Sequence, residues 1–281
     1  MRLSKGPWRD VPTRTMAAAG TQFAVREYGA HSEVPLVLLT HLGANLDSWD
    51  PAVVDALALD RRLIAIDYRG VGASAGVVAD TFDAMAADVI AVLGALEYER
   101  IDLFGLSMGG MVAQALLGQA PELVERVVLA GTGPQHGPGL KAMTGVAIRS
   151  TVRAALTRRD PKQLLFFTRS AAGRAAASAY LRRLTERNRN RDSSVTPAVF
   201  RAQLRAVNRW GDAAAPSAPL WSSPTLLIHG EEDRMVPVVN AHALHALLPD
   251  SSLATFPDSG HGVVFQHPTA VTDTIRQFLT R

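Results

Sequence analysis

The chain has 281 residues, 47% of them hydrophobic, a formal net charge of +3 and no cysteine. Length and apolar content suit a globular enzyme built as one large α/β domain, or as a domain with an insertion. The absence of cysteine excludes disulfides, a thiolate nucleophile and a Cys-based zinc site, and makes the cytoplasm the expected location.

The basic N-terminal stretch is followed by no apolar run of signal-peptide type, and no run approaches membrane-spanning length, so no membrane partner is expected. Residues 1–15 read as a loosely ordered extension. Ala24 to Tyr28 then reads as an edge hairpin strand. Short apolar runs follow at Pro35 to Thr40, Arg62 to Asp67, Ile101 to Leu106, Arg126 to Gly131, Pro224 to His229 and Ser252 to Phe256. Helical periodicity fills gaps between them, as at Thr81 to Leu96, Ser107 to Gln119, Val239 to Leu247 and Pro268 to Leu279. This alternation predicts a parallel sheet covered by helices.

The alternation stops after Gly131-Thr132-Gly133-Pro134 and resumes at Pro224. In between lie Ala- and Arg-rich helical segments such as Ala171 to Arg183. The expected organisation is therefore a core at 16–133 and 220–281, interrupted by a helical cap at 134–219 and closed by a loop containing Pro216 and Pro219. The insertion holds 16 Lys and Arg against the four acids Asp160, Glu186, Asp192 and Asp212, a charge of +12, which leaves −9 for the rest. A basic block in an acidic frame marks a separate structural unit. No nucleic-acid motif accompanies it, so solvated cap helices are the simpler reading and no nucleic-acid partner is expected.

Gly105-Leu106-Ser107-Met108-Gly109 follows the apolar run from Ile101 and opens the helical stretch from Gly110, placing Ser107 at a strand-to-helix turn. The glycines on either side permit strand and helix to pack closely there. A second segment reads Asp67-Tyr68-Arg69-Gly70-Val71-Gly72-Ala73-Ser74. Together these resemble the α/β-hydrolase superfamily, in its serine-nucleophile branch of esterases and cofactor-free haloperoxidases with a helical cap. The resemblance implies a mostly parallel eight-stranded sheet and a catalytic triad in the order Ser, acid, His. Ser107 would be the nucleophile, with no cofactor and no metal.

The family carries its Gly-His after the last strand, which here is Gly260-His261. The remaining histidines that follow Ser107 read as loop, strand-end or helix-surface residues, His242 and His245 among them. Gly230-Glu231-Glu232-Asp233 followed by Val236-Pro237 resembles the family's acid loop, which selects Asp233, with Glu231 and Glu232 read as solvated charges. The oxyanion hole would use the N–H of Met108 and one from the loop His41-Leu42-Gly43-Ala44, where Leu replaces the expected Gly; Gly43, or else Leu42, is the second donor. His41 reads as a residue that shapes this loop.

Trp49, Phe166, Phe167, Phe200 and Trp210 are the expected wall of an apolar acyl or ring pocket. A small-molecule ester or related acyl substrate follows, acidic or aromatic in character. Ser107 argues against the aspartate-based dehalogenase and epoxide-hydrolase relatives, and a basic cap argues against aminopeptidase relatives that bind a substrate amine. Perhydrolysis, C–C bond hydrolysis and slow-turnover ligand reception remain open on the same fold. Gly131-Thr132-Gly133-Pro134-Gln135-His136-Gly137 lacks dinucleotide-loop spacing.

Overall fold

A run such as Leu36-Val37-Leu38-Leu39 offers no polar face, so it is satisfied only inside a sheet covered on both sides. The computed structural model of the chain, which describes residues 6–217 and 220–280, places it there, fully buried. Residues 1–5 of the expected extension, Pro219 at the expected end of the insertion, and Arg281 lie outside the described residues.

Eight strands form one sheet. They are β1 (Arg14–Ala18), β2 (Thr21–Gly29), β3 (Leu36–Leu39), β4 (Arg62–Ile66), β5 (Ile101–Leu106), β6 (Val124–Ala130), β7 (Thr225–Gly230) and β8 (Ser251–Phe256), in the spatial order β1-β2-β4-β3-β5-β6-β7-β8. β2 is antiparallel to β1 and β4, and every other pair is parallel. Because side chains alternate along a strand, Val37 and Leu39 join one core and Leu36 and Leu38 the other. The first core is closed by α2 (Phe82–Ala95), α3 (Met108–Gln119) and α8 (Val239–Leu247), the second by α1 (Pro51–Leu57), α9 (Val263–Gln266) and α10 (Pro268–Leu279).

Between β6 and β7 lie α4 (Met143–Thr157), α5 (Pro161–Phe166), α6 (Ala171–Leu184) and α7 (Pro197–Asp212). Asp160, Ser170 and Thr196 cap the last three by accepting a first-turn N–H, each cap being worth about 1 kcal/mol.

Two expectations are corrected. β2 is an interior strand, since β1, which overlaps the expected extension, covers its outer side and forms the sheet edge. Nor is the stretch ahead of β1 loose: Trp8 and Val11 are buried, the Trp8 N–H donates to Asp55 (2.7 Å), and Arg187 donates to the carbonyls of Arg9 and Val11. A five-residue strand reading Arg-Thr-Met-Ala-Ala carries too little apolar signal to be read in isolation.

The charge asymmetry also resolves into contacts. Arg183 forks onto Asp50 at 2.7 and 2.6 Å, Arg187 reaches Asp47 at 3.1 Å, and Arg205 and Arg209 share Asp80. In the reverse sense Asp192, from the loop before α7, pairs with Arg26 of β2 (2.7 Å). Arg26 is 0% exposed, bonds Asp47 and Thr13 as well, and lies under the Trp8 ring at 5.2 Å. One guanidinium thus ties the N-terminal segment, the β2 strand and the insertion together.

Arg26→Met would leave Asp47 and Asp192 buried without this partner. It should destabilise the protein by about 3–5 kcal/mol, read as a lower urea midpoint at unchanged slope.

Candidate active site

The parallel strands end on the same side of the sheet, where loops from different strands converge. Ser107 sits there between β5 and α3 with φ 56° and ψ −116°, a conformation that costs a non-glycine residue free energy and must be enforced by its surroundings. The enforcement is steric. A Cβ on Gly105 would lie 2.6 Å from the Gly109 carbonyl oxygen, and one on Gly109 would lie 2.1 Å from that of Leu39. The Ser107 N–H is tied to the Ala130 carbonyl at 2.8 Å.

His261, from the loop after β8, places Nε2 2.8 Å from the Ser107 Oγ and Nδ1 2.7 Å from an Asp233 oxygen. All three side chains are buried. Asp233 follows β7, and its other oxygen accepts the Met235 and Val236 N–H groups at 2.8 and 2.9 Å. Burial alone would push this carboxyl up, but His261 and His229, through charge and hydrogen bonds, hold it well below the usual carboxylate range. The structure brings the three predicted residues into one relay, and leaves the alternatives Glu231 and Glu232 exposed. His229, read from sequence as a strand end, lies 3.4 Å from Asp233 and 2.8 Å from the Val236 carbonyl oxygen.

Met108 opens α3, so its N–H belongs to the helix-terminal donors that have no intrahelical acceptor. The other expected donor is different. The Gly43 N–H already donates to the Gln203 Oε1 of α7 at 2.8 Å, while Leu42, the alternative, lines the cavity beside Ser107. Gln203 itself is fully buried.

A cavity of ≈ 340 Å³ opens on Ser107 and His261. Leu42, Ala147, Leu165, Phe166, Phe200 and Met235 give it an apolar wall, with Thr151, Asp160 and Lys162 also lining it. Of the aromatic residues expected there, Phe166 and Phe200 are present. The other three are elsewhere. Trp49 packs on Phe104 in the core, Phe167 packs on Tyr180, and Trp210 packs on Phe82 while its indole N–H donates to the Gly133 carbonyl. Lys162 and Gln203 carried no sequence signal, because nothing local tells which side of an insertion helix faces inward, and Met235 lies in the loop after β7, where no periodicity marks a pocket residue.

His41 also lines the cavity. Its Nδ1–H donates to the Leu42 carbonyl at 3.0 Å, and its ring packs edge-on against Phe166. Burial pushes His41 down to about 4; the Leu42 bond opposes this, and His261 and Lys162 reinforce it.

Fold and cavity together define an α/β protein whose inserted helices roof a site at the strand ends. The family model for the alpha/beta hydrolase fold matches residues 34–268, and the chain belongs to that family. An alpha/beta hydrolase fold protein from Chitinophaga pinensis superposes with a TM-score of 0.91 at 30% identity, covering 98% of this chain and 99% of that one. A 2-hydroxymuconate semialdehyde hydrolase from Pseudomonas sp. (strain CF600) is 29% identical over 95% of this chain and 93% of its own length. A pimeloyl-[acyl-carrier protein] methyl ester esterase from Nitrosomonas europaea is 29% identical over 83% and 90% respectively. The chain is a hydrolase of the α/β fold.

His41 carries a pH dependence. Its folded value of about 4 lies below the ordinary 6.5, so between these values the unfolded chain binds the proton first. Its contribution to stability is complete above about 6.5 and is lost as pH falls toward 4. The melting-temperature gap between wild type and His41→Gln should therefore shrink from pH 7 to pH 4.5; a constant gap would show that His41 is not held neutral.

Proposed function

We propose that the chain is a serine hydrolase that cleaves a small-molecule carboxylic ester, or a related acyl compound, through an acyl-enzyme on Ser107. The observation that carries this reading is the Asp233–His261–Ser107 relay, with links of 2.7 and 2.8 Å, opening into a small apolar cavity. A hydroxyl is a poor nucleophile at neutral pH. His261 Nε2 takes the Ser107 proton as Oγ attacks the carbonyl, and Asp233 holds the ring by Nδ1 and stabilises the imidazolium that forms. The tetrahedral oxyanion is bound by the N–H groups of Met108 and Leu42, at the positive end of α3. His261 then protonates the leaving alcohol, and water activated by the same nitrogen releases the acid.

The insertion acts in this reading as a cap that sets the substrate. α4, α5 and α7 contribute Ala147, Phe166 and Phe200 to the wall, and the volume of ≈ 340 Å³ suits a small acyl group. The two phenylalanines support an aromatic substituent, and Lys162, paired with Asp160 at 3.7 Å in the same lining, can reach an acidic one only by exchanging that partner. A second reading, C–C bond hydrolysis, draws support from the 2-hydroxymuconate semialdehyde hydrolase relative.

A panel of p-nitrophenyl esters of increasing acyl length, run beside 2-hydroxymuconate semialdehyde, separates the two readings by kcat/KM. Ser107→Ala should abolish labelling by a fluorophosphonate and lower turnover by about 10⁴-fold or more, and Asp233→Asn should keep the fold yet cost about 10⁴-fold. Equal labelling of Ser107→Ala would overturn the nucleophile.

Gln203→Leu tests the oxyanion assignment. With Leu42 as donor, loosening the loop should lower kcat about tenfold at little change in KM. A rise in kcat on freeing the Gly43 amide would assign the role to Gly43 instead.

A further inference from the structure

The helix α5 separates two spaces. Pro161, Lys162, Leu165 and Phe166 face the Ser107 cavity, whereas Gln163, Leu164 and then Phe167 wall a groove on its other side. The groove has lobes of ≈ 610 and ≈ 320 Å³ that share Arg153, Leu164, Arg169 and Arg234. Its charged lining consists of Arg149, Arg153, Arg159, Arg169, Arg174 and Arg234, with no carboxylate in either lobe.

Five of these arginines come from the insertion and Arg234 from the loop after β7. Arg183, Arg187, Arg205 and Arg209 each hold a core aspartate, but among the described residues none of the groove's six forms an ion pair. Two are nonetheless fixed: Arg174 donates to the Arg169 carbonyl (2.5 Å) and Arg234 to that of Leu164 (3.0 Å). At Arg234 burial first, and then the charges of Arg169 and Arg153, make the cation easier to deprotonate, against the opposing charges of Glu232 and Asp233. Guanidinium groups gathered in a concave site repel one another, and a multiply charged anion removes that repulsion.

We propose that this groove binds a soluble small molecule carrying a di- or triphosphate, at a site separate from the catalytic cavity. Guanidinium forks match phosphate oxygens in pairs, and Thr157 and Ser178 supply hydroxyl donors in the same lining. Six cations exceed what one carboxylate neutralises, and a walled groove accommodates a short phosphate chain better than it does a nucleic-acid duplex. The site does not depend on the role of Ser107, and its test reads binding rather than turnover.

Sodium tripolyphosphate titrated calorimetrically into the full chain at 150 mM NaCl should bind saturably at one site. Arg153→Ala/Arg169→Ala should weaken it by at least about tenfold, the loss of two charge-assisted contacts. Arg169→Lys, which keeps the charge and loses the fork, should weaken it less. Arg205→Ala/Arg209→Ala, basic residues outside the groove, should leave it unchanged. Absence of saturable binding, equal weakening in both double variants, or equal affinity for citrate would overturn the proposal. So would a DNA duplex that binds with length-dependent affinity and is not displaced by tripolyphosphate.

Discussion

Everything at the strand ends depends on one turn that the chain would not adopt unaided. Ser107 is held at φ 56° because its N–H is fixed to Ala130 while Gly105 and Gly109 let β5, α3 and the end of β3 approach closer than any side chain permits. The strain, of order 1–3 kcal/mol, is met by a strand fully buried between two apolar cores. The same turn puts the hydroxyl at the tip, the Met108 N–H beside it, and the loop with Leu42 across from it. Three features of the proposed chemistry therefore share one steric cause.

Two groups of arginine on the insertion differ in what they face. One population neutralises aspartates of the core, and those contacts explain why the insertion is basic and the remainder acidic: the two bodies attract one another. Exposed members of such pairs are worth little, but Asp50 and Asp47 are buried, so their loss would be costly. The other population, joined by Arg234 from the loop after β7, faces the groove behind α5, whose lining holds no carboxylate. Composition counts both kinds alike; pairing to core aspartates marks the first, and a shared concave lining marks the second.

Where the sequence was legible, it was so for local reasons. Six apolar runs and the hairpin stretch Ala24 to Tyr28 predicted seven of the strands, and the regular spacing of β5, Ser107 and α3 identified the elbow, because period and glycine placement are properties of adjacent residues. Asp233 and His261 followed from the resemblance to a family whose chain order is known. What stayed hidden was long-range. β1 is a strand only because β2 pairs with it, and the N-terminal segment is ordered by partners distant in sequence, Arg26, Asp55 and Arg187, and by the burial of Trp8 and Val11. Gln203 sits 160 residues from the amide it occupies. The aromatic residues show the limit plainly. All five were plausible pocket wall by type, yet Trp49 and Trp210 are core packing, and neighbours Phe166 and Phe167 fall on opposite sides of α5.

The adjacency of Asp233 and Arg234 shows how a cationic groove and a catalytic-type carboxylate coexist one residue apart. Asp233 is buried, and its oxygens are engaged by the Met235 and Val236 N–H groups and by His261, so its anion is stabilised by fixed short-range donors. Arg234 points outward and is tied to Leu164, where solvent and any bound anion screen it. A charge change in the groove therefore reaches the carboxylate only as a weak addition to a field set by groups within hydrogen-bond reach. What it does reach directly is α5, through the Arg234–Leu164 bond, and α5 carries Phe166, whose carbonyl accepts the Gly262 N–H beside His261. Any influence of the groove on the Ser107 cavity accordingly has a mechanical route, through the position of α5 and of α4, which carries Arg149 and Arg153 on the groove and Ala147 and Thr151 on the cavity, rather than one through the electrostatics of Asp233.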